Sequence, residues 1–382
     1  MAVNLVRMTK RLQQIRVALA YTVEEAGKAT GLDVHRLLRI ESGDATPTGD
    51  EILILASLYD CDFRTLIDET LSPPAQQTDI LFRRYGDSFT PEDRRAIQEF
   101  LHLCQIEASL ERQLGLVNEA VNFKWSGTIF KAHGQQVAEA LRTRLGYSDN
   151  EAPRDIYSDF RRIGIHIFRR KLVNNEISGL YIEDPVAGHC VLINYNEDIY
   201  RQRFSVAHEV AHAIFDSSDG MMLTFQFNSA KYDKNELKEI RANSFASQYL
   251  MPLTMLRRIP KVDESSVPEW AQKFRVSTAA LAKALRDANL IDENMGKQIR
   301  GASVPRNEKI DPEAPENLTE AQKRRRLGLL ERGLSSHYVD LCFKAHDQGV
   351  ISTGRLAEVL RVEYADLADI GMLFGRTIGH GI

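Results

Sequence analysis

Apolar residues recur three or four positions apart through the first part of the chain. Leu12, Ile15 and Leu19 form one such series. Residues at this spacing share one face of an α-helix, so the pattern predicts a run of short helices over residues 8–68. The same spacing continues in residues 78–116, where it predicts a charged helical connector.

The hydrophobic period changes in the middle of the chain. Residues 164–168, 177–182 and 190–194 are short runs rich in β-branched residues and are bounded by Gly, Pro, Asn and Asp. Such runs are typical of strands, and we expect a small antiparallel sheet. Helical spacing returns in residues 202–215 and 236–250, and the Ser-, Asp-, Gly- and Asn-rich stretch between these two helices is expected to be a loop.

Composition marks further divisions of the chain. Residues 301–319 are polar and rich in proline, which predicts a linker, and the spacing after them is again helical. Together the elements predict an α+β protein that is mostly helical. The predicted segments are an all-helical domain (1–70), a helical connector (71–134), a domain with a small sheet (135–300), the linker (301–319) and a helical C-terminal region (320–382).

The composition is that of an ordinary globular protein. The 382 residues are 43% hydrophobic and 27% charged, with a net charge of −4. No apolar stretch approaches the roughly 18 residues that a membrane span requires, and the first residues lack the apolar core of a signal peptide. The four cysteines have no paired spacing, which favours reduced thiols. We therefore expect a cytoplasmic protein without a membrane partner.

One motif in the predicted helix 202–215 carries candidate chemistry. His208 and His212 stand four positions apart with Glu209 between them, in the H-E-x-x-H arrangement. Positions i and i+4 share a helix face, so both imidazoles can bind one metal ion. Glu209 lies beside them, where it can accept a proton from an attacking water and pass it to a leaving amine. The pattern is typical of zinc metallopeptidases, in which three protein ligands leave one position open. The pentamer alone also fits two histidines that only pack, but the apolar surroundings favour a metal as their partner.

The next predicted helix offers a third ligand. Glu239 lies 27 residues after His212, which leaves room for a loop and an antiparallel return. Asn243, one turn later, is expected to donate a hydrogen bond that supports a ligand histidine. Glu236, about one turn before Glu239, is the rival carboxylate. Several other histidines lack partners at ligand spacing and are expected to be structural or exposed: His133, His166, His337, His346 and His380.

Around these residues the sequence resembles the ImmA/IrrE family of bacterial metallopeptidases. The resemblance rests on the segment 203–212, on Glu-x-x-Ala-Asn-x-Phe-Ala over residues 239–246, and on Leu-Met-Pro over residues 250–252, and it covers about residues 135–290. It implies a zinc site with His208, His212 and Glu239 as ligands and Glu209 as the catalytic base.

The same resemblance implies a substrate and leaves one role open. Family members act on helix-turn-helix repressors, whose cleavage releases stress, mobile-element or defence genes, so we expect a protein substrate of that kind. The residue that stabilises the oxyanion is not apparent in the sequence. The candidates are Tyr232, Tyr249 and His189.

The N-terminal region resembles a Cro/repressor-type (XRE) helix-turn-helix domain. The resemblance covers residues 9–68 and rests on Thr-Val-Glu-Glu-Ala at 22–26, Gly-Leu at 31–32 and Ile-Glu-Ser-Gly at 40–43. It implies that the second helix of the motif enters the major groove of DNA. The side chains then expected at the DNA are Val34, His35 and Leu38 near bases, and Arg36 and Arg39 near phosphates.

Two features oppose specific DNA binding. Val23 stands where the family usually has Gln, and Val34 and Leu38 are apolar and read bases poorly by hydrogen bonding. Residues 1–70 also carry 8 basic and 11 acidic residues, which does not favour contact with phosphates. The alternative is a dimerisation or partner-docking module with the same fold, and a homodimer is compatible with either role.

Three hypotheses therefore follow from the sequence. The first is a zinc endopeptidase that cleaves a repressor and carries its own targeting domain. The second is a DNA-binding transcription regulator in which the peptidase-like domain is a sensor with little turnover. The third is a scaffold or antitoxin-like protein that uses both domains for protein contacts. The intact set of His208, Glu209, His212 and Glu239 favours the first, because a sensor has no need of a catalytic base.

Overall fold

A computed structural model of the chain divides into two compact units. One comprises residues 1–105 and 172–174, and the other comprises residues 106–171 and 175–382. The structure describes the following residues: 4–68, 70–71, 76–85, 88–116, 123–217, 220–225, 234–314 and 318–376. Among these residues, no helix is both long enough and apolar enough to cross a membrane.

The first unit is built from helices with capped ends. In chain order they are α1 (Leu5–Ala18), α2 (Val23–Thr30), α3 (Val34–Ser42), α4 (Gly49–Leu58), α5 (Arg64–Ile67), α6 (Gln76–Arg84) and most of α7 (Pro91–Gln113), which ends in the second unit. Thr22 and Glu25 form a capping box at the start of α2, and Gly31 ends this helix in the left-handed conformation that glycine adopts without strain. Asp33 then caps α3.

A buried ion pair holds α3 against α1. Arg16 donates two hydrogen bonds to the carboxylate of Glu41, from Nε at 2.7 Å and from Nη2 at 2.8 Å. Both side chains are almost inaccessible to solvent, and the bidentate geometry offsets the loss of hydration of the two charges. The orientation of α3 is therefore set from within the unit.

The second unit places helices on both faces of a small sheet. Its strands are β1 (Ile165–Arg170), β2 (Ile177–Asp184), β3 (Gly188–Asn194) and β4 (Met221–Phe225). Its helices after α7 are α8 (Phe130–Leu145), α9 (Ile156–Arg161), α10 (Ile199–Phe215), α11 (Lys234–Leu250), α12 (Leu253–Leu256), α13 (Val267–Phe274), α14 (Thr278–Asp287), α15 (Glu293–Ile299), α16 (Glu320–Leu330), α17 (Ser336–Asp347), α18 (Thr353–Leu360) and α19 (Leu367–Leu373). Short 3-10 turns occur at Arg306–Glu308 and Tyr364–Asp366.

The sheet is mixed, so the prediction of an antiparallel sheet was wrong for one pair. The strand order is β1-β3-β2-β4, with β1 parallel to β3 and the other pairs antiparallel. A tight hairpin fixes β2 and β3 as antiparallel neighbours, and β1 then pairs with the free edge of β3. Periodicity within a strand carries no information about its neighbour's direction. The strand β4 was predicted as loop, although Gly220 and the apolar run after it are signals of a strand.

Alternation along β1 separates two faces of the sheet. Ile165 and Ile167 belong to the same buried cluster as Val206 and Val210 of α10. Since successive side chains in a strand point to opposite faces, the side chains between them face the other way. There the Phe168 ring lies 5.6 Å from the Tyr338 ring of α17. The helix α10 therefore covers one face, and the C-terminal helices cover the other.

The segment predicted as a linker is packed where it carries two carboxylates. Asp311 and Glu313 are buried and both bind Arg169 of β1, at 2.9 Å and 2.8 Å. Arg161 of α9 binds Glu313 at 3.0 Å. Two arginines buried beside a sheet need such counter-charges. The polar, proline-rich composition led to a prediction of solvent exposure. Composition does not show that Asp311 and Glu313 pair with buried arginines.

A glycine allows α8 and α11 to pack closely. A Cβ atom added at Gly134 would lie 2.4 Å from the carbonyl oxygen of Arg241 and 2.8 Å from the backbone nitrogen of Phe245. Both contacts are with backbone, which cannot move without shifting the helix. The absence of a side chain at Gly134 therefore sets the distance between these helices.

Gly134→Ala is expected to destabilise the protein by about 1–3 kcal/mol, because the added methyl group overpacks a rigid helix contact. Chemical denaturation of both proteins measures the difference in the free energy of unfolding. Gly328→Ala is the matched control, because its added Cβ atom on α16 would meet nothing within 4 Å. That variant should be neutral or slightly more stable, and equal effects at the two positions would refute the argument.

Candidate metal centre

The helix α10 brings the H-E-x-x-H motif into the interior. The Asp198 side chain accepts a hydrogen bond from the backbone nitrogen of Tyr200 and so caps the helix. The helix is buried along residues 205–213, because it lies between the sheet and α11. His208 and His212 lie on the side that faces α11, as their spacing predicts.

Three ligand atoms converge between α10 and α11. His208 Nε2 lies 3.1 Å from His212 Nε2. The carboxylate of Glu239 contacts both rings, through Oε2 at 3.2 Å from His208 and through Oε1 at 3.3 Å from His212. Two ring nitrogens that face each other cannot both carry a proton, so the arrangement suits a shared cation better than a set of hydrogen bonds.

His212 is held from its other side by Asp216. The ring nitrogen Nδ1 lies 3.0 Å from Asp216 Oδ2, and Arg241 of α11 binds the second oxygen of that carboxylate at 2.5 Å. A carboxylate behind a ligand imidazole fixes its tautomer and orientation. Within the described structure, Asp216 makes the contact with a candidate ligand histidine that was expected of Asn243.

Protons occupy this cluster when no cation is bound. Burial favours the neutral imidazole of His212, but hydrogen bonds with Asp216 and Glu239 outweigh it and raise its pKa to about 9. Burial likewise opposes ionisation of Glu239, yet the hydrogen bonds with His208 and His212 lower the pKa of this carboxyl. The site therefore holds a carboxylate and an imidazolium near neutral pH, and a divalent cation must displace that proton.

Glu209 is the unpaired member of the site. It is fully buried, and neither carboxylate oxygen has a hydrogen-bond partner among the described residues. Burial raises the pKa of its carboxyl. Burying a carboxylate without hydrogen-bond partners costs free energy. Ionisable groups destabilised in this way are concentrated at functional sites.

Gly179 of β2 makes room for Glu209. A Cβ atom at Gly179 would lie 3.1 Å from Glu209 Cγ, 3.0 Å from the carbonyl oxygen of Leu192 and 2.9 Å from Ile193 Cδ1. A side chain at this position would therefore require Ile193, the Leu192 carbonyl and Glu209 to shift. The sequence showed a glycine in a strand, which signals a close approach, but it did not show to which residue.

A groove of about 1050 Å³ opens beside the ligands. Its floor near the metal centre includes His208, Glu239 and Thr224 of β4, and it extends along α11 to α14. Its far part combines small and apolar side chains with basic ones. These residues are Phe204, Met251, Leu253, Leu256, Ala280, Ala284, Arg201, Lys283 and Arg300. The groove is large enough for an extended peptide segment.

The remaining predicted residues have other surroundings. Asn243 lines the groove and makes no hydrogen bond to either ligand histidine within the described structure. Tyr249 donates its hydroxyl proton to Asp159 at 2.8 Å in the core, and Tyr181 and His189 hydrogen-bond to each other at 2.8 Å. Tyr232 lies outside the described residues. The rival carboxylate Glu236 is not part of the group of ligand atoms, which consists of His208, His212 and Glu239.

These donors fit a zinc ion. Two imidazole nitrogens and one carboxylate oxygen are ligands that zinc binds at catalytic sites, where a fourth position stays open. The atoms lie within 4.8 Å of one another, and beside them lies the carboxylate of Glu209, which has no hydrogen-bond partner among the described residues. The set therefore provides the ligand types that a catalytic zinc requires, and Glu209 stands beside them as a base.

The residues of α3 that were expected to contact DNA differ in their exposure to solvent. His35, Leu38 and Arg39 are exposed on α3. Arg36 is held by Glu51 of α4, with Nε at 2.8 Å from Oε1 and Nη2 at 2.8 Å from Oε2, and the hydrogen bond from Arg36 lowers the pKa of Glu51 to about 2. Val34 is partly covered by α2, where its Cγ2 would lie 3.3 Å from a Cβ at Gly27.

Two family models match the chain. Residues 12–66 match a helix-turn-helix model, and residues 160–286 match the model of the IrrE N-terminal-like peptidase domain. The chain thus has a helix-turn-helix domain followed by a peptidase-like domain that resembles IrrE. The second match spans β1 to α14 and contains all four candidate residues of the metal centre. Both resemblances are confirmed. A comparison with curated proteins finds no significant match.

The IrrE-like domain contains one supporting residue that the sequence analysis missed. Asp216 follows His212 by four positions, which is the spacing that identified the two ligands. It stands just after the last residue of α10, where an aspartate is easily taken for the start of a loop. Its role depends on Arg241, which fixes the carboxylate against His212.

Asp216→Asn is expected to weaken zinc binding about 10–100-fold, because an amide holds the His212 ring less firmly and no longer balances Arg241. Competition with a chromophoric chelator measures this affinity. Asp149→Asn, at an exposed position, is the control for loss of one negative charge. An affinity of Asp216→Asn within twofold of the wild type would show that Asp216 does not support the metal.

Proposed function

We propose that this protein is a zinc-dependent endopeptidase that cleaves a repressor-like regulatory protein. The observation that carries the proposal is the unpaired carboxylate of Glu209 beside three converging ligands. A site that only holds a metal for stability needs its four ligands closed around the ion and has no use for a buried, unsatisfied base.

The residues of the site divide the work of peptide hydrolysis. His208, His212 and Glu239 would hold the ion, which when bound supplies a Lewis acid for the scissile carbonyl. Glu209 accepts the proton of the attacking water on a carboxylate oxygen and donates it to the leaving nitrogen. Burial raises the pKa of this carboxyl, which favours its holding the proton between the two transfers.

The groove and the N-terminal domain support a protein substrate. The groove runs past the ligands along α11 to α14 and has room for an extended chain on either side of a cleaved bond. A helix-turn-helix domain in the same chain provides a means of reaching DNA or a DNA-bound protein. Cleavage of a repressor would then derepress stress, mobile-element or defence genes.

Glu209→Gln is expected to abolish cleavage, by about 10²–10⁴-fold or more, while zinc content stays at the wild-type level. The amide keeps the size of the side chain and removes its capacity to accept a proton. Purified variant and wild type are incubated with repressors encoded beside the gene, and fragments are identified by mass spectrometry.

Glu236→Gln is the matched control for that experiment, because it makes the same chemical change on α11 outside the ligand set. It should cleave like the wild type. Cleavage by Glu209→Gln at the wild-type rate would remove Glu209 from the mechanism. If the wild type cleaves no repressor but binds the promoter, the alternative of a regulator with a sensor domain gains support.

That alternative rests on the exposed face of α3, where His35 and Arg39 are available to DNA. Arg39→Ala is expected to weaken promoter binding on all sequences and to reduce the slope of log K against log salt by about 1. Arg36→Ala should instead lower the stability of the domain, since it frees Glu51. Electrophoretic shifts at several salt concentrations measure the slope, and an unchanged slope for Arg39→Ala would exclude a phosphate contact.

A further inference from the structure

A second group of potential metal ligands lies in the second unit, away from the peptidase site. It consists of Glu107 and Glu111 of α7 and His166 of β1, whose ligand atoms lie within 4.8 Å of one another. His337 of α17 adds an imidazole, with Nε2 at 3.9 Å from Glu111 Oε1. Carboxylates at i and i+4 share one face of α7, as the two histidines do on α10.

The cluster contains ligand atoms that no hydrogen bond satisfies. Glu107 is 1% exposed. Its Oε1 lies 2.7 Å from His166 Nδ1, but its Oε2 has no partner among the described residues. The buried Nε2 of His337 also lacks a hydrogen-bond partner there. Glu209 shows the same property at the first site, and a buried carboxylate oxygen left unpaired is costly in either place.

An ion pair between His166 and Glu107 explains only part of the arrangement. It leaves one oxygen of Glu107 and the Nε2 atom of His337 without a hydrogen-bond partner among the described residues, and it does not account for the Glu111 carboxyl beside them. Burial together with the nearby charge of Glu107 raises the pKa of Glu111 to about 7. Two carboxylates and an imidazole thus converge in the interior, where one divalent cation could pair with all three.

The nearest competing cation is already committed. Arg161 affects Glu107 and Glu111 electrostatically, but its guanidinium binds Glu313 at 3.0 Å and the carbonyl oxygen of Ile167 at 2.9 Å. These two hydrogen bonds of Arg161 are therefore made outside the cluster. The His166 ring is further oriented by a hydrogen bond with the backbone of Ala187, a support that ligand histidines commonly have.

We infer that Glu107, Glu111 and His166 form a second site for a divalent transition-metal ion, with His337 as a fourth ligand. Imidazole and carboxylate donors in this proportion suit zinc-like ions. The ligands come from α7, from the face of β1 opposite to α10, and from α17. A bound ion would fasten the C-terminal helices to the sheet, and this role is independent of peptide cleavage.

The test uses the full-length protein, stripped with a chelator and titrated with Zn²⁺. Metal analysis should find two equivalents in the wild type and one in Glu239→Ala, which lacks a ligand of the first site. The double variant Glu239→Ala, Glu111→Gln should hold none. Zn²⁺ should also raise the unfolding temperature of Glu239→Ala, and this rise should vanish in the double variant.

Glu239→Ala, Glu92→Gln is the matched control, because Glu92 is an exposed carboxylate on the same helix. It should retain one equivalent and the thermal shift. The inference is overturned if Glu239→Ala binds no Zn²⁺, or if Glu239→Ala, Glu111→Gln still binds one equivalent. The first of these results is obtained without mutating the second cluster, so it is conclusive even if Glu111→Gln fails to fold. A wild type with one equivalent that Glu239→Ala loses would overturn the second site alone and leave the proposed peptidase intact.

Discussion

His212 connects the two helices of the metal centre through both of its ring nitrogens. Nε2 faces Glu239 of α11, and Nδ1 meets Asp216, which is itself bound by Arg241 of α11. These charged groups are buried, so each depends on the others to offset its lost hydration. The geometry of the centre therefore requires α10 and α11 to remain close. Gly134 permits the close packing of α11 on α8, and Gly179 permits the close packing of α10 on the sheet.

The same constraint explains why Glu209 stays without a partner. The cluster contains two imidazoles and enough carboxylates to pair with them, and Glu239 and Asp216 already fill those positions. Glu209 points from the same helix toward β2, where Gly179 offers space but no hydrogen-bond donor. The Thr224 hydroxyl of β4 acts on Glu209 from the sheet, but it makes no hydrogen bond with the carboxylate, so the packing leaves room for a reacting group.

The candidate ligands could be proposed from the sequence because their spacing obeys local rules. His208 and His212 share a helix face by spacing, and Glu239 was identified by its distance along the chain and by resemblance. Asp216 and Gly179 were not identified, because their roles depend on Arg241 and on the contact between α10 and β2, which are distant in sequence. The parallel pairing of β1 with β3 was not predicted, for the same reason. Asn243 was proposed to support a ligand histidine because it lies one helical turn after Glu239. In the structure, Asp216 contacts the His212 ring.

The cluster of Glu107, Glu111, His166 and His337, on the opposite face of the sheet, could not be predicted from residue spacing. Glu107 and Glu111 have the spacing of a ligand pair, but this pattern is common on solvated helices, and His166 and His337 have no partner nearby in sequence. Only the fold brings them together, because β1 directs Ile165 and Ile167 toward α10 and His166 toward α7 and α17. A single strand thus borders the core of the peptidase domain and the contact with the C-terminal helices. The sheet is therefore one connection between those helices and α10, and its position also sets the space around Glu209. The segment before α16 is another, because Lys309 binds Asp198 at the start of α10 at 2.6 Å.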